Sequence, residues 1–259
     1  MSIVKKEKML TFWSERARLY AGDPRANTDD VWLREVEIAY VDKILKDHFC
    51  ADVLDFGCAN GYSTSRLAKL NLQSRFTGVD INRDMIEAAK LNSEQSVALN
   101  LEFRRYDIQQ DPITEEYDLI YAIRAFQNIE SLEMQKMVLD RLCDRLKPNG
   151  MLLYLESYLD GYRRLNEDRE KMGLRPLPIH EHLTLLTDEF DTHAGSKMKL
   201  IRRDSVSSSY YLATRLLYAY IAKMNNESID YNHPIHQVAA MIPQIGEYGP
   251  QNASLYQKR

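Results

Sequence analysis

Apolar positions change their period along the chain, and the changes predict its elements. Over residues 1–20, Met9, Phe12 and Trp13 share one side of a helix, with Lys5, Lys6, Glu15 and Arg16 outside it. The run AGDPRANTDD at 21–30 is a turn-rich break. A second helix over 31–48 carries a broad apolar face through Val31, Trp32, Val36, Ile38, Ala39, Val41, Ile44 and Leu45. From residue 51, short apolar runs alternate with amphipathic ones. They predict strands at 51–56, 75–80, 101–106, 117–123 and 151–156, and helices at 60–70, 82–93 and 131–147. The last helix stops at Lys147-Pro148-Asn149-Gly150. A charged loop precedes the strand at 117.

This alternation is that of an α/β, doubly wound, mostly parallel sheet. After Glu156 the rhythm breaks. Residues 158–194 hold Pro176, Pro178 and three histidines and read as an insertion or cap. A strand at 198–210, a helix at 211–224 and a final strand at 253–258 bring the expected sheet to seven strands. The 259 residues suit one elaborated domain: a helical lid (1–48), a core (49–157), and a cap insertion with the remaining strands (158–259).

Composition removes several classes. A net charge of −4 gives no general basic field for nucleic acid. No apolar run reaches the roughly 18 residues of a membrane span, and the start lacks a signal-peptide core. Three cysteines (Cys50, Cys58, Cys143) show neither metal nor redox spacing, which points to no metal and to a reducing compartment, the cytoplasm. Sixteen tyrosines against seven phenylalanines are a surplus, most of it expected in the lid and cap.

The chemistry concentrates in Val53-Leu54-Asp55-Phe56-Gly57-Cys58-Ala59-Asn60-Gly61-Tyr62-Ser63, a strand running through a glycine loop into a helix. Glycines admit positive φ, and the helix amino terminus offers free N–H groups. Asp80 follows 23 residues after Gly57, close to the spacing of a carboxylate that binds ribose hydroxyls. The expected ligand is a nucleoside or nucleotide at the switch point of the sheet.

The loop lacks the G-x-G-x-x-G dinucleotide pattern. Its acidic-x-Gly-x-small-x-Gly order resembles motif I of the class I S-adenosylmethionine-dependent methyltransferases, with their Rossmann-like sheet. Gly78-Val79-Asp80-Ile81-Asn82, Tyr106-Asp107-Ile108, Tyr117-Asp118-Leu119-Ile120 and Leu146-Lys147-Pro148-Asn149-Gly150 are similar to the later blocks of that family, in order. The resemblance implies S-adenosyl-L-methionine as cofactor. The loop from Asp55 through Gly57, Cys58 and Ala59 to Gly61 would hold its methionine part. Asp80 would hold the ribose, with Ile81 and Ile108 beside adenine and Asp107 on its amine. In such proteins leading helices often cover the cofactor, which makes Tyr20 and Arg34 candidate contacts. Ala59 and Asn149 depart mildly from the family's glycines.

The acceptor side is less defined. Arg124 leaves the carboxyl end of a strand, followed by Asn128, and is a candidate for an anionic group. His180 and His182, on a proline-stiffened segment, are candidates for a general base. Glu156 and Tyr158 follow the fifth strand, and the hydroxyl-rich run from Ser205 to Arg215 is a candidate polar wall. The expected activity is methyl transfer to a small polar acceptor, an oxygen first. A small-molecule N-methyltransferase, a protein methyltransferase and a cofactor-binding scaffold are the alternatives. The expected partner is a small-molecule acceptor, with neither nucleic acid nor membrane; a homodimer is left open.

Overall fold

The computed structural model describes residues 2–96, 100–111 and 114–259. Two helices, α1 (Ser2–Tyr20) and α2 (Val31–Asp47), precede the sheet. The sheet strands are β1 (Asp52–Phe56), β2 (Arg75–Asp80), β3 (Leu101–Arg105), β4 (Tyr117–Ile123), β5 (Leu146–Ser157), β6 (Met198–Ser205) and β7 (Gln251–Lys258). Their order is β3-β2-β1-β4-β5-β7-β6. β7 runs antiparallel to both its neighbours and the other pairs are parallel. Helices α3 (Tyr62–Leu70), α4 (Arg83–Ser96) and α5 (Leu132–Asp144) make the crossovers. The charged loop before β4 lies partly outside the described residues.

The period of two decides which face each strand residue meets. Leu54, Ile120, Ala122, Leu152 and Tyr154 pack under α5 and the helix α7 (Asp188–Lys197). Their neighbours Val53, Leu119, Tyr121, Leu153 and Leu155 pack against Ile38, Val41, Ile44 and Leu45 of α2. Both faces of the central strands are therefore buried, which is why those strands read as unbroken apolar runs. Tyr121 and Tyr154 also show a use of tyrosine within the sheet. Each is fully buried, with its hydroxyl donated to a carboxylate, Asp55 and Asp191 respectively.

Several boundaries differ from the expected ones. β5 starts at Leu146 rather than 151, because Leu146 already pairs with Tyr117 before the Pro-Asn-Gly kink. The segment after Tyr158 is largely helical: α6 (Leu159–Lys171) and α7 sit where an irregular insertion is expected. α6 buries little besides Leu165 and Arg169, so its apolar signal is too thin to stand out. The strand expected to reach 210 ends at Ser205. A continuous helical rod follows, as α8 (Ser208–Tyr211), a π-helical stretch (Leu212–Leu217) and α9 (Tyr218–Met224). The tail contains a further helix, α10 (Pro234–Met241). Among the described residues no helix is long and apolar enough to cross a membrane.

Asp30, the N-cap of α2, ties this helical part to the second helix. It is 4% exposed, accepts the Tyr210 hydroxyl, and pairs with Arg215. Tyr210 also meets His236 Nδ1 at 2.9 Å. The hydroxyl-rich run that ends at Arg215 thus braces α2.

Candidate active site

The parallel strands end at one edge of the sheet, and the strand order reverses between β1 and β4, where a crevice must open. A cleft of about 980 Å3, part of it open to solvent, occupies that crevice.

Its floor is the loop after β1. The amides of Gly57 and Cys58 both donate to the Val79 carbonyl, at 2.9 and 3.0 Å. Gly57 adopts φ +79°, and a Cβ there would lie 2.5 Å from that of Ala125. Gly61 adopts φ +70° at the start of α3, where a Cβ would strike the Phe103 ring. Ala59 holds φ 48° without a glycine's freedom, a strain of about 1 kcal/mol. Asp80 supports it: one carboxylate oxygen accepts the Ala59 amide at 2.9 Å and the other the Asn82 amide at 2.8 Å. Burial pushes the Asp80 carboxyl upward against these two amides.

At the β2–β3 end, Asp80, Ile81, Tyr106, Asp107 and Ile108 line the wall. Lys6 of α1 reaches Asp107 Oδ2 at 3.0 Å and Gln109 Oε1 at 2.9 Å. The Asn82 side-chain Nδ2 donates to Leu10 O and Ser14 Oγ, both at 3.0 Å. These contacts lay α1 across the cleft, with Met9 and Trp13 facing it. Trp13 Nε1 donates to Asn128 Oδ1 at 3.0 Å, and the Asn128 amide donates to the Arg124 carbonyl at 2.8 Å.

The other end is cationic. Arg34 of α2 and Arg124 beyond β4 both line the cleft. The fully buried Glu37 stands between them, 3.2 Å from Arg34 Nε and 3.0 Å from Arg124 Nε, and also accepts from Gln251 Nε2. Two guanidinium groups share one carboxylate. The Arg34 guanidinium is an ion-pair partner of Glu37, yet it donates no aligned hydrogen bond among the described residues. Burial lowers its pKa to about 10, with Glu37 opposing, so it stays charged at neutral pH. Asn27 also lines the cleft, with a buried Oδ1 that accepts no hydrogen bond among the described residues.

The cleft therefore brings together Gly57, Ala59, Asp80, Ile81, Asp107, Ile108, Arg34 and Arg124 of the expected residues. Others lie elsewhere. Asp55 sits beneath the loop, 2% exposed, accepting the hydroxyls of Thr64 and Tyr121 at 2.6 and 2.8 Å. Burial raises its carboxyl to about 6. The Cys58 side chain packs with Ile86, Ala89 and Phe103, away from the cleft. Gly61 contributes the turn into α3 rather than a wall. Tyr20 lies between the guanidinium groups of Arg16 and Arg25, outside the lining.

Two expectations about catalysis need correction. Glu156 is fully buried behind the cleft, where its oxygens accept the amides of Phe126 (2.8 Å) and Gln127 (3.2 Å). Burial raises it to about 8. It shapes the turn after β4 and lies outside the cleft lining. His180 and His182 do not line the cleft either. They stack on one another, and His182 packs on Phe12 with ring centroids 4.6 Å apart. Desolvation, then His180 and Lys5, lowers His182 to about 4. With Lys5 bonded to Leu183 O and Thr184 Oγ1, this proline-stiffened segment fastens α1 from its outer side. Tyr158, also weighed for the pocket, gives its hydroxyl to Asp191.

Glu37 and Asn27 escape the sequence reading. Asn27 lies in a turn-rich break with no period to mark it, whereas Glu37 sits on the apolar side of α2 between Val36 and Ile38, a visible anomaly.

Residues 50–197 match the family model described as a methyltransferase domain, which is more than half of the chain. The chain belongs to this methyltransferase family. It is similar to the malonyl-[acyl-carrier protein] O-methyltransferase of Acetivibrio thermocellus, 27% identical over 63% of this chain and 60% of the relative. To the ubiquinone biosynthesis O-methyltransferase of Shewanella halifaxensis it is 23% identical over 80% of this chain and 85% of the relative. The N-methyltransferase NodS from Bradyrhizobium japonicum, solved with S-adenosyl-L-homocysteine, shares the fold at TM-score 0.59 and 15% identity, over 95% and 98% of the chains. Magnesium protoporphyrin IX methyltransferase from Synechocystis does so at TM-score 0.62 and 13% identity, over 95% and 94%. The chain spans 60% of the first of these relatives, and what it carries is a methyltransferase domain of the S-adenosylmethionine-dependent family on a Rossmann-like seven-stranded sheet. The cleft suits that cofactor. The free acceptor of Asn27 and the cation of Arg34 complement an ammonium and a carboxylate on one α-carbon.

Proposed function

We propose that the protein transfers the methyl group of S-adenosylmethionine to an oxygen of a small polar acceptor within this cleft. The carrying observation is the opposition of Asp80 and Arg34 across one cavity, a carboxylate at one end and an under-bonded guanidinium at the other. In this reading Asp80 accepts hydrogen bonds from the ribose hydroxyls and Asp107 from the adenine amine. Ile81 and Ile108 pack against the base. Arg34 pairs with the cofactor carboxylate, and Asn27 Oδ1 accepts from its ammonium. The bound cofactor supplies an electrophilic methyl group on a sulfonium. The chain's own part is then to align that group and exclude water. Trp13 and Met9 of α1 do the covering, held by Lys6 and Asn82.

The oxygen acceptor draws support from the O-methyltransferases among the relatives. A reducing, cytoplasmic setting remains part of the proposal, consistent with three free, buried cysteines. The test is incubation with methyl-labelled S-adenosylmethionine and matched small alcohols, acids and amines. Label on oxygen is the expected result; label on nitrogen, or on protein alone, would replace this reading with one of its alternatives.

A further inference from the structure

We propose that the acceptor is a carboxylate held by Arg124, so that the product is a methyl ester. This inference rests on the reading above and names the substrate class of the same site.

The first support is where bases are absent. Among the described residues lining the cleft there is no histidine or cysteine, and the one tyrosine, Tyr106, gives its hydroxyl to the Asp111 carbonyl. The lining carboxylates stand at the other end and are engaged. Asp80 accepts two backbone amides, Asp107 is paired with Lys6, and Glu130 accepts Gln109 Nε2 at 3.2 Å. Near the arginines, Glu37 is enclosed by Arg34, Arg124 and Gln251, and Asp55 is covered by the glycine loop and held by two hydroxyls. A neutral alcohol must surrender a proton on transfer, and no group here is placed to take it. A carboxylic acid, ordinarily ionised above about pH 4, has none to surrender.

The second support is charge. Arg34 and Arg124 balance Glu37 and Asp55, and the cofactor adds one positive charge through its sulfonium beyond its zwitterionic end. An ionised acid neutralises that charge, whereas an amine leaves it in place. With Arg34 committed to the cofactor, Arg124 remains: its Nε and Nη2 meet the Glu37 carboxylate at 3.0 and 3.3 Å, and the Nη1/Nη2 edge of this lining side chain, 18% exposed, is left for an acceptor. Guanidinium and carboxylate match in a planar, two-point fashion. In the step, an acceptor oxygen uses its own lone pair to form the O–CH3 bond. The S–CH3 bond breaks and its electron pair stays on sulfur. Both products are neutral, and no proton moves.

The test uses the full chain with sinefungin bound, an analogue whose ammonium keeps the positive charge that the sulfonium brings and S-adenosylhomocysteine lacks. Acetate, succinate and benzoate are titrated calorimetrically against their amides. The acids are expected to bind at least about tenfold more tightly. Arg124→Gln should remove that preference, and Arg124→Lys should restore part of it, while homocysteine-cofactor affinity changes by less than about threefold. Glu37 keeps Arg34 and Gln251 in the variant, so folding is retained. In turnover with labelled cofactor, the product should release labelled methanol in mild alkali, as an ester does and an ether or methylamine does not. Amides binding as well as acids, no acid binding at all, or an alkali-stable product would overturn the proposal. An alkali-stable O-methyl product would do so while leaving oxygen transfer intact; failure to bind S-adenosylhomocysteine would instead remove the parent reading.

Discussion

The two ends of the cleft are built by different rules. At the β2–β3 end, Asp80, Ile81, Asp107 and Ile108 leave adjacent parallel strands within three residues of their last pairings. Strand register sets their positions, so a short ordered motif suffices to specify them. At the cationic end, Arg34 comes from α2, Arg124 from beyond β4 and Gln251 from β7, and they converge on Glu37. Only tertiary structure assembles that group. The first end is suited to a constant ligand part; the second leaves room for the chemistry that varies between methyltransferases.

The largest expected effect comes from removing the centre of the second end. Glu37→Ala leaves the buried Arg34 guanidinium and the half-buried Arg124 guanidinium without their shared carboxylate and should lower stability by about 3 kcal/mol, read by urea denaturation. A loss below about 1 kcal/mol would mean that the arginines do not depend on it. At the first end, Asp80→Ala removes the support of Ala59 as well as the proposed ribose contact. S-adenosylhomocysteine should bind about 100-fold more weakly, as loss of two charge-assisted hydrogen bonds implies. Adenosine should weaken in parallel.

Glu156 provides an intermediate case. Glutamine can accept one of the two amides but presents an N–H to the other, so Glu156→Gln should cost about 1–3 kcal/mol. Its carboxyl, raised to about 8 from an ordinary 4.5, keeps its proton in the folded state when the unfolded chain has lost it. The native protein should therefore lose stability as pH rises from about 4.5 through 8, and the variant should lack that contribution. Denaturation at pH 5 and pH 8 measures it. The smallest effect is expected at the histidines. His182, lowered to about 4, is neutral when folded, so stability should fall as pH drops from 6.5 toward 4. His182→Phe should flatten that fall, while kcat at neutral pH changes less than about threefold in it and in His180→Ala, against the loss of about 100-fold or more that removing a general base brings. A large drop in kcat would reinstate the base expected from the sequence.

What the chain reveals before folding follows the same division. The β1 loop, Asp80 and Asp107 are legible because motif spacing and strand ends coincide. Arg124 is legible as the first residue past a strand. Its partner is legible only as an anomaly: a glutamate on the apolar side of α2 stands out, but what it pairs with appears only when β4 and β7 bring a cation and an amide to it. The histidine pair misleads for a related reason. Imidazoles on a stiff segment suggest a base, but only the fold shows that α1 comes between them and the cleft, with Phe12 occupying the face of His182. α6 is hidden because so little of it is buried.

The central claim is that one cleft holds the cofactor with adenosine at Asp80 and the amino-acid part at Arg34. The most direct test is calorimetric titration of Arg34→Met with S-adenosylhomocysteine and, separately, with adenosine. The account predicts a loss of about tenfold or more for the first, as a charge-assisted pair is worth, and unchanged affinity for the second. Equal losses for both ligands, or no loss for either, would contradict it.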